Sequence, residues 1–268
     1  MGSALSRATA RFGFSATPRL DAELLMAHAL GTTWEAMLLH RLDDPAPAAF
    51  ADLAERRAAH EPVAYITGVR DFWTITLQVA PGVLIPRADS ETLIEAAIAH
   101  FGMRSPRTVL DLGTGSGALL LAALDQWPGA RGIGVDRSPD ALAVAAANAE
   151  RLGMADRAVI VAGGWEGTGG PHDLILCNPP YIETGAELPR EVAGYEPAGA
   201  LFAGPDGLDD YRAIAPLLRA RIAPGGVACI EIGSTQGGTA AAPFRAEGLR
   251  VAVRPDLAGR DRCLVVTP

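Results

Sequence analysis

The chain contains no lysine: all 23 of its basic residues are arginine. With its many alanines, glycines and prolines, this reads as the coding bias of a GC-rich genome, which bears on source and not on mechanism. Cysteine is scarce. Cys177, Cys229 and Cys263 stand far apart in apolar, strand-like runs, which excludes a zinc pair at ligand spacing and predicts buried, reduced thiols. The five histidines (His28, His40, His60, His100, His172) have no partner at ligand or triad spacing, so no metal site is expected. No apolar run approaches the ~20 residues of a membrane span, and no basic segment leads into an apolar one as in a secretory signal. The expectation is a cytoplasmic protein with no membrane partner. Met1-Gly2-Ser3-Ala4-Leu5-Ser6 fits the loose N-myristoylation pattern, but no polybasic stretch accompanies it and it is read as chance. A net charge of −8 argues against a protein whose main task is tracking a phosphate backbone. No stable nucleic-acid binding is expected.

What is present is the composition of a soluble globular enzyme: 268 residues, 49% hydrophobic and 20% charged, enough for one large domain or two. The first sixty residues read as helices. Leu20, Glu23, Leu24, Ala27 and Leu30 form a helical stripe that Gly31 ends, Thr32-x-x-Glu35 is a capping box, and Asp44-Pro45 opens a further helix over 48–60. This bundle is read either as structural support or as a dock for a macromolecular substrate. The period then changes. Trp73, Ile75, Leu77 and Val79 alternate with polar residues as in a half-buried strand, and Pro81-Gly82 turns the chain. From Pro86 helix and strand alternate, with strands at 108–112, 131–135, 158–162, 174–177 and 227–232 and a terminal pair near 249–254 and 262–267. The expected architecture is α/β: residues 1–67 a helical bundle, 68–85 a hairpin linker, and 86–268 a mostly parallel sheet with an antiparallel C-terminal edge.

Two motifs carry chemistry. Asp111-Leu112-Gly113-Thr114-Gly115-Ser116-Gly117 lies between a strand and a helix, where glycines let the backbone approach a nucleotide-like cofactor beside the positive end of a helix. Asp136 ends the next strand, placed to accept both ribose hydroxyls, with a helix cap as the alternative. NAD and S-adenosylmethionine both fit this much. The G-x-G-x-G spacing departs from the dinucleotide fingerprint, and Asp111 could meet the positively charged end of S-adenosylmethionine. Trp165, after Gly163-Gly164, stands near an adenine ring or simply packs. The second motif is Asn178-Pro179-Pro180-Tyr181 at the end of a strand. The Asn178 side-chain carbonyl and the Pro179 backbone carbonyl can grip both N–H bonds of a planar amide or exocyclic amine. The prolines stiffen the turn and Tyr181 offers a stacking face. Such a site works by orienting a poor nucleophile toward an electrophile.

With these residues in place the chain resembles the Rossmann-like S-adenosylmethionine-dependent methyltransferases. Within them it resembles the HemK-like family, the protein-(glutamine-N5) methyltransferases of bacterial peptide chain release factors. The likeness covers almost the whole chain: Glu61 to Gly68 with Phe72-Trp73, Leu84 to Glu91, Asp136 to Leu142, Tyr195-Glu196-Pro197, Gly207-Leu208 and Asp256 to Arg262. Ala88 replaces a proline common in the family, which implies a slightly less rigid loop. The resemblance implies that Gly113, Thr114, Gly115, Ser116, Gly117, Asp136 and Trp165, with Asp111 and Asn178, bind S-adenosylmethionine. It implies that Asn178 to Tyr181 hold the glutamine amide of a Gly-Gly-Gln loop. The amide nitrogen then takes the methyl group and loses a proton to solvent, leaving N5-methylglutamine and S-adenosyl-L-homocysteine. The helical N-terminal domain is implied in docking the release factor, and a monomer is expected. Arg87, Glu196 and Glu231 match family positions without a role that follows from the sequence.

Three rivals are weighed beside it. An N6-adenine or other exocyclic-amine methyltransferase shares the logic of Asn178 to Tyr181 but wants a basic recognition segment. A non-catalytic scaffold has no need of an intact glycine loop with Asp136 and Asn178. A nicotinamide dehydrogenase is disfavoured by the glycine spacing.

Overall fold

The structure, a computed structural model, describes all residues 1–268. The chain packs as two units, Met1–Val69 with Leu188–Tyr195, and Arg70–Glu187 with Glu196–Pro268. The first is built from α1 (Gly2–Arg11), α2 (Pro18–Ala29), α3 (Trp34–His40), α4 (Ala49–Ala58) and α5 (Val63–Thr67). Leu5, Phe12, Leu25, Met26, Met37 and Phe50 form its core. Several local expectations shift here. α2 buries Ala22, Leu25 and Met26 together with Glu23 and Ala27 of the expected stripe, while Leu20 is exposed. Asp21 and Glu23 can lie inward because each is paired: Asp21 with Arg57 at 2.7 Å, and Glu23 with Arg19 at 2.5 Å and the Trp34 indole N–H at 2.9 Å. Gly31 does end α2, with φ +63° and the Thr32 amide bonded back to the Ala27 carbonyl. The cap of α3 is Thr33, whose hydroxyl accepts from the Ala36 amide, and not Thr32. Asp44 does not cap α4; its carboxylate pairs with Arg41 instead. Arg57 also reaches Glu191 at 2.7 Å, so the segment 188–195 is held inside the helical unit by a buried guanidinium.

In the second unit β1 (Val69–Phe72) and β2 (Ile75–Gln78) form a hairpin. Trp73 leaves the expected strand: it occupies the turn at φ +54°, its amide donating to Glu91 at 2.8 Å. Phe72, Ile75 and Leu77 are buried with Leu93 and Val109, and the hairpin from Arg70 onward falls in the second unit. Then follow α6 (Glu91–Phe101), β3 (Thr108–Leu112), α7 (Ala118–Gln126), β4 (Arg131–Asp136), α8 (Pro139–Arg151), β5 (Ala158–Ala162) and β6 (His172–Cys177). After these come α9 (Arg190–Ala193), which belongs to the helical unit, and then α10 (Asp209–Leu218), β7 (Ile222–Glu231), α11 (Gly237–Ala246), β8 (Arg250–Pro255) and β9 (Asp261–Thr267). The seven-stranded sheet runs β5-β4-β3-β6-β7-β9-β8, parallel up to β7 and antiparallel at β9 and β8. This is the expected mostly parallel sheet with its antiparallel edge.

Both faces of the sheet are covered, so the strands read as continuous apolar runs. Alternate residues serve the two faces. Val109, Leu174 and Leu176 join the core with α6 and α7, whereas Leu110, Ile175 and Cys177 join the core with α10 and α11. All three cysteines are buried free thiols. No helix is long and apolar enough to cross a membrane.

The topology positions the site. From β3 the chain winds outward through β4 and β5, then returns to the other side of β3 as β6. Ligand sites in open α/β sheets form at such a reversal, beyond the carboxyl ends of the strands. The register makes this concrete: Leu112 pairs with Val135 on one side and Cys177 on the other. One step beyond that row stand Gly113, Asp136 and Asn178.

Candidate active site

A cavity of about 510 Å³ opens at this end of the sheet, lined by Gly113 to Ser116, Asp136, Gly163 to Glu166, Asn178 and Pro180 among others. Its size is that of a ligand pocket. The glycine loop is held from beneath. The amides of Gly113 and Thr114 both donate to the Val135 carbonyl at 2.9 Å, and the Gly115 amide donates to Asp136 Oδ2 at 2.9 Å. Asn148, fully buried, donates to the Ser116 carbonyl and also bonds both backbone groups of Gln78, tying the hairpin to the loop. Gly113 has φ +70°, and a Cβ there would lie 3.2 Å from the Trp165 ring. The indole is itself fixed by its N–H to Asp210 Oδ1 at 2.8 Å. A flat wall therefore stands beside bare backbone, which suits an adenosine moiety. Asp136 also accepts from the Ser138 amide at 2.9 Å, while Ser138 caps α8 through Ala141. The carboxylate thus joins two elements and still lines the cavity.

Asp111 is placed otherwise than expected. It does not line the cavity; it is 1% exposed beneath the loop, bonded to the Thr114 hydroxyl at 2.6 Å and the Leu120 amide at 3.2 Å. The unpaired amides at the start of α7 attract a carboxylate. Its Oδ1 has no partner, and burial pushes its carboxyl up to about 7 against the pull of those two bonds. A raised native pKa means that the unfolded chain ionises first. Stability is therefore full below the ordinary range near 3.8 and declines as pH rises through about 7. Relative to Asp111→Asn, the wild type is expected to lose on the order of 4 kcal/mol across that window. Urea unfolding of both proteins at pH 5 and pH 8, between which about 2–3 kcal/mol of that loss falls, checks this, and parallel pH dependences contradict it.

Asn178 and Pro180 line the cavity, and Pro179 between them is buried. Tyr181 is half-buried against the core under α10 and α11. Its hydroxyl donates to Glu231 Oε1 at 3.2 Å and its carbonyl accepts from Gln236 at 3.0 Å. Gly207, at φ +68°, leaves room for that carbonyl, which a Cβ would strike. Asn178 Nδ2 donates to Ser90 Oγ at 3.3 Å, and Ser90 in turn donates to Glu231 Oε2. Glu231 is fully buried, and burial pushes it up to about 7, opposed by Ser90, Arg262 and Tyr181. Glu196, also buried, accepts from Arg87 at 2.5 Å and from the Ile85 amide at 3.2 Å, fixing the loop that leads to Ser90. The loop after Tyr181 closes through Ile182 and Phe202.

Ser90, Gln236 and Asp210 escape a reading of the sequence. Their partners lie 88, 55 and 45 positions away, and no local motif marks them.

Comparison with known proteins adds the following. Residues 3–68 match the family model of the PrmC N-terminal domain, and residues 88–193 that of the methyltransferase small domain. A release factor glutamine methyltransferase of Rhodospirillum rubrum is 44% identical, over 92% of this chain and 78% of its own length. That of Moorella thermoacetica is 40% identical, over 99% of this chain and 96% of its own. Among solved structures, a methyltransferase from Pyrococcus furiosus shares the fold with a TM-score of 0.55 at 15% identity, covering 81% of this chain and 98% of that one.

Proposed function

The chain belongs to the family of release factor glutamine methyltransferases, and from that premise we propose what its cavity does. It transfers a methyl group from S-adenosylmethionine to the side-chain amide N5 of the glutamine in the Gly-Gly-Gln motif of bacterial peptide chain release factors. The observation that carries this reading is the row Cys177–Leu112–Val135, because it sets the glycine loop, Asp136 and Asn178 side by side at one strand end.

Bound in the cavity, S-adenosylmethionine supplies an electrophilic methyl group. Backbone at Gly113 to Gly117, the Asp136 carboxylate and the Trp165 ring hold its adenosine portion. Asp111 acts from beneath the loop, through Thr114 and the first turn of α7. Asn178 Oδ1 and the Pro179 carbonyl accept the two N–H bonds of the substrate amide, aligning a nitrogen that is otherwise a poor nucleophile. Pro180 and Tyr181 keep that turn rigid. Residues 1–67 are taken as the docking domain for the release factor. The enzyme is taken to act as a cytoplasmic monomer without stable nucleic-acid contact.

The reading is tested by incubating a release factor with enzyme and cofactor, then digesting it with proteases, which leave side-chain amides intact, and looking for N5-methylglutamine. The derivative is expected from the intact factor only. Its absence, or its appearance in a factor whose Gly-Gly-Gln glutamine is alanine, rejects the assignment.

A further inference from the structure

Glu231 has no role in the scheme so far, yet it is joined to Asn178 by hydrogen bonds whose direction is fixed. An ionised carboxylate only accepts. Ser90 and Tyr181 each place a hydroxyl on one of its oxygens, so both hydroxyl protons point at Glu231. Ser90 then has only a lone pair left for Asn178, and the group it meets is Nδ2. The Asn178 amide is thereby turned with its nitrogen toward Ser90, leaving Oδ1 as the free acceptor of a residue that lines the cavity. The reversed amide would bring two more donors to a substrate that itself presents N–H bonds. It would also leave Glu231 Oε2 without the Ser90 proton.

We infer that Glu231 is a positioning residue: through Ser90 it decides which end of the Asn178 amide faces the methyl-accepting nitrogen. This deepens the methyltransferase reading and rests on it.

The surroundings of Glu231 fit a group that holds one protonation state for the reaction. Ser90 and Asp89 face it from the turn before α6, Tyr181 from the loop after β6, Tyr211 from α10, Cys177 from β6, and Arg262 with Cys263 from β9. The Tyr211 hydroxyl holds the Glu231 backbone carbonyl at 3.0 Å. Burial raises its carboxyl to about 7, and Arg262 and the two hydroxyls restrain it there. Protonation turns one oxygen into a donor, frees the Ser90 proton and removes the preference for the productive amide. Activity should accordingly fall on the acid side of about 7.

The test uses the full chain with 15N-labelled asparagine, the Asn178 side-chain NH2 signal being identified by its loss in Asn178→Ala. That signal is expected to move with pH, with a midpoint near 7, in the wild type and in Ser90→Thr, which keeps the hydroxyl. In Glu231→Gln and Ser90→Ala the movement should vanish. In parallel methyl-transfer assays these two variants should lose kcat by roughly 10- to 100-fold, the usual cost of removing a partner that orients an active group. Their KM for release factor and Kd for S-adenosylmethionine should stay within about twofold of wild type. Ser90→Thr should restore most of kcat. A pH-independent Asn178 signal in the wild type overturns the inference, as does wild-type kcat in Glu231→Gln. If Glu231→Gln fails to fold, Ser90→Ala decides alone. An enzyme that methylates no release factor defeats the functional reading, while the Asn178 signal still decides the orientation.

Discussion

Asn178→Ala should bind S-adenosylmethionine nearly as the wild type does and lose methyl transfer by roughly 10²- to 10³-fold, the range for deleting one preorganised polar group at a reacting centre. The asymmetry follows from where the contacts lie. In the proposed binding mode the cofactor's contacts are spread over the glycine loop, Asp136 and Trp165, and the hydrogen bonds that hold these groups do not involve the Asn178 side chain. The substrate amide, on the same proposal, has Asn178 Oδ1 as its side-chain acceptor. Inside the protein the truncation removes one hydrogen bond, to Ser90 at 3.3 Å, worth about 1 kcal/mol, so the fold survives. Isothermal titration with cofactor and single-turnover transfer on the same preparation separate the two effects. Equal turnover in the variant would sink the amide-gripping role whatever the fold.

Asp136→Ala should weaken S-adenosylmethionine by roughly 100-fold, because the two ribose hydrogen bonds proposed for this charged acceptor, each about 1.5 kcal/mol, would be lost together. The same carboxylate also holds the Gly115 and Ser138 amides. The substitution therefore loosens the loop as well, and both consequences point toward weaker binding. The start of α8 keeps its own cap, Ser138, so the helix should persist. Cofactor affinity measured beside the melting temperature distinguishes the outcomes. An unchanged dissociation constant with a lowered melting temperature would reduce Asp136 to a support for the loop and helix.

Legibility in the sequence followed the range of the interactions. Strands β3 and β5 are read to the residue because a short apolar run bounded by turn residues is a local signal. Ser138-Pro139 announces α8 for the same reason. The glycine loop, Asp136 and Asn178 are legible because each sits at a strand end, and the right-handed winding of such sheets brings those ends together. The stripe of α2 is legible in part: Glu23 and Ala27 lie inward as read, while Leu20 is exposed and Ala22, Leu25 and Met26 are buried too, with Asp21 and Glu23 paired by Arg57, Arg19 and Trp34. Trp73 in the turn carries no glycine or asparagine to mark it. Asp111 reads as part of the cofactor site, and its bonds to Thr114 and to the start of α7 are set by the fold. Glu231 and Glu196 are anchored across 141 and 111 positions respectively, so only the folded chain assigns them partners.

The most direct measurement is transfer of a labelled methyl group from S-adenosylmethionine to a purified bacterial release factor. Beside it run the factor with its Gly-Gly-Gln glutamine changed to alanine, and tubes of DNA and RNA. Label on the intact factor alone is the predicted result. Label on nucleic acid and not on the factor would contradict it, moving the same Asn178 chemistry to an exocyclic amine, and no label on any of them despite cofactor binding would leave a scaffold in place of an enzyme.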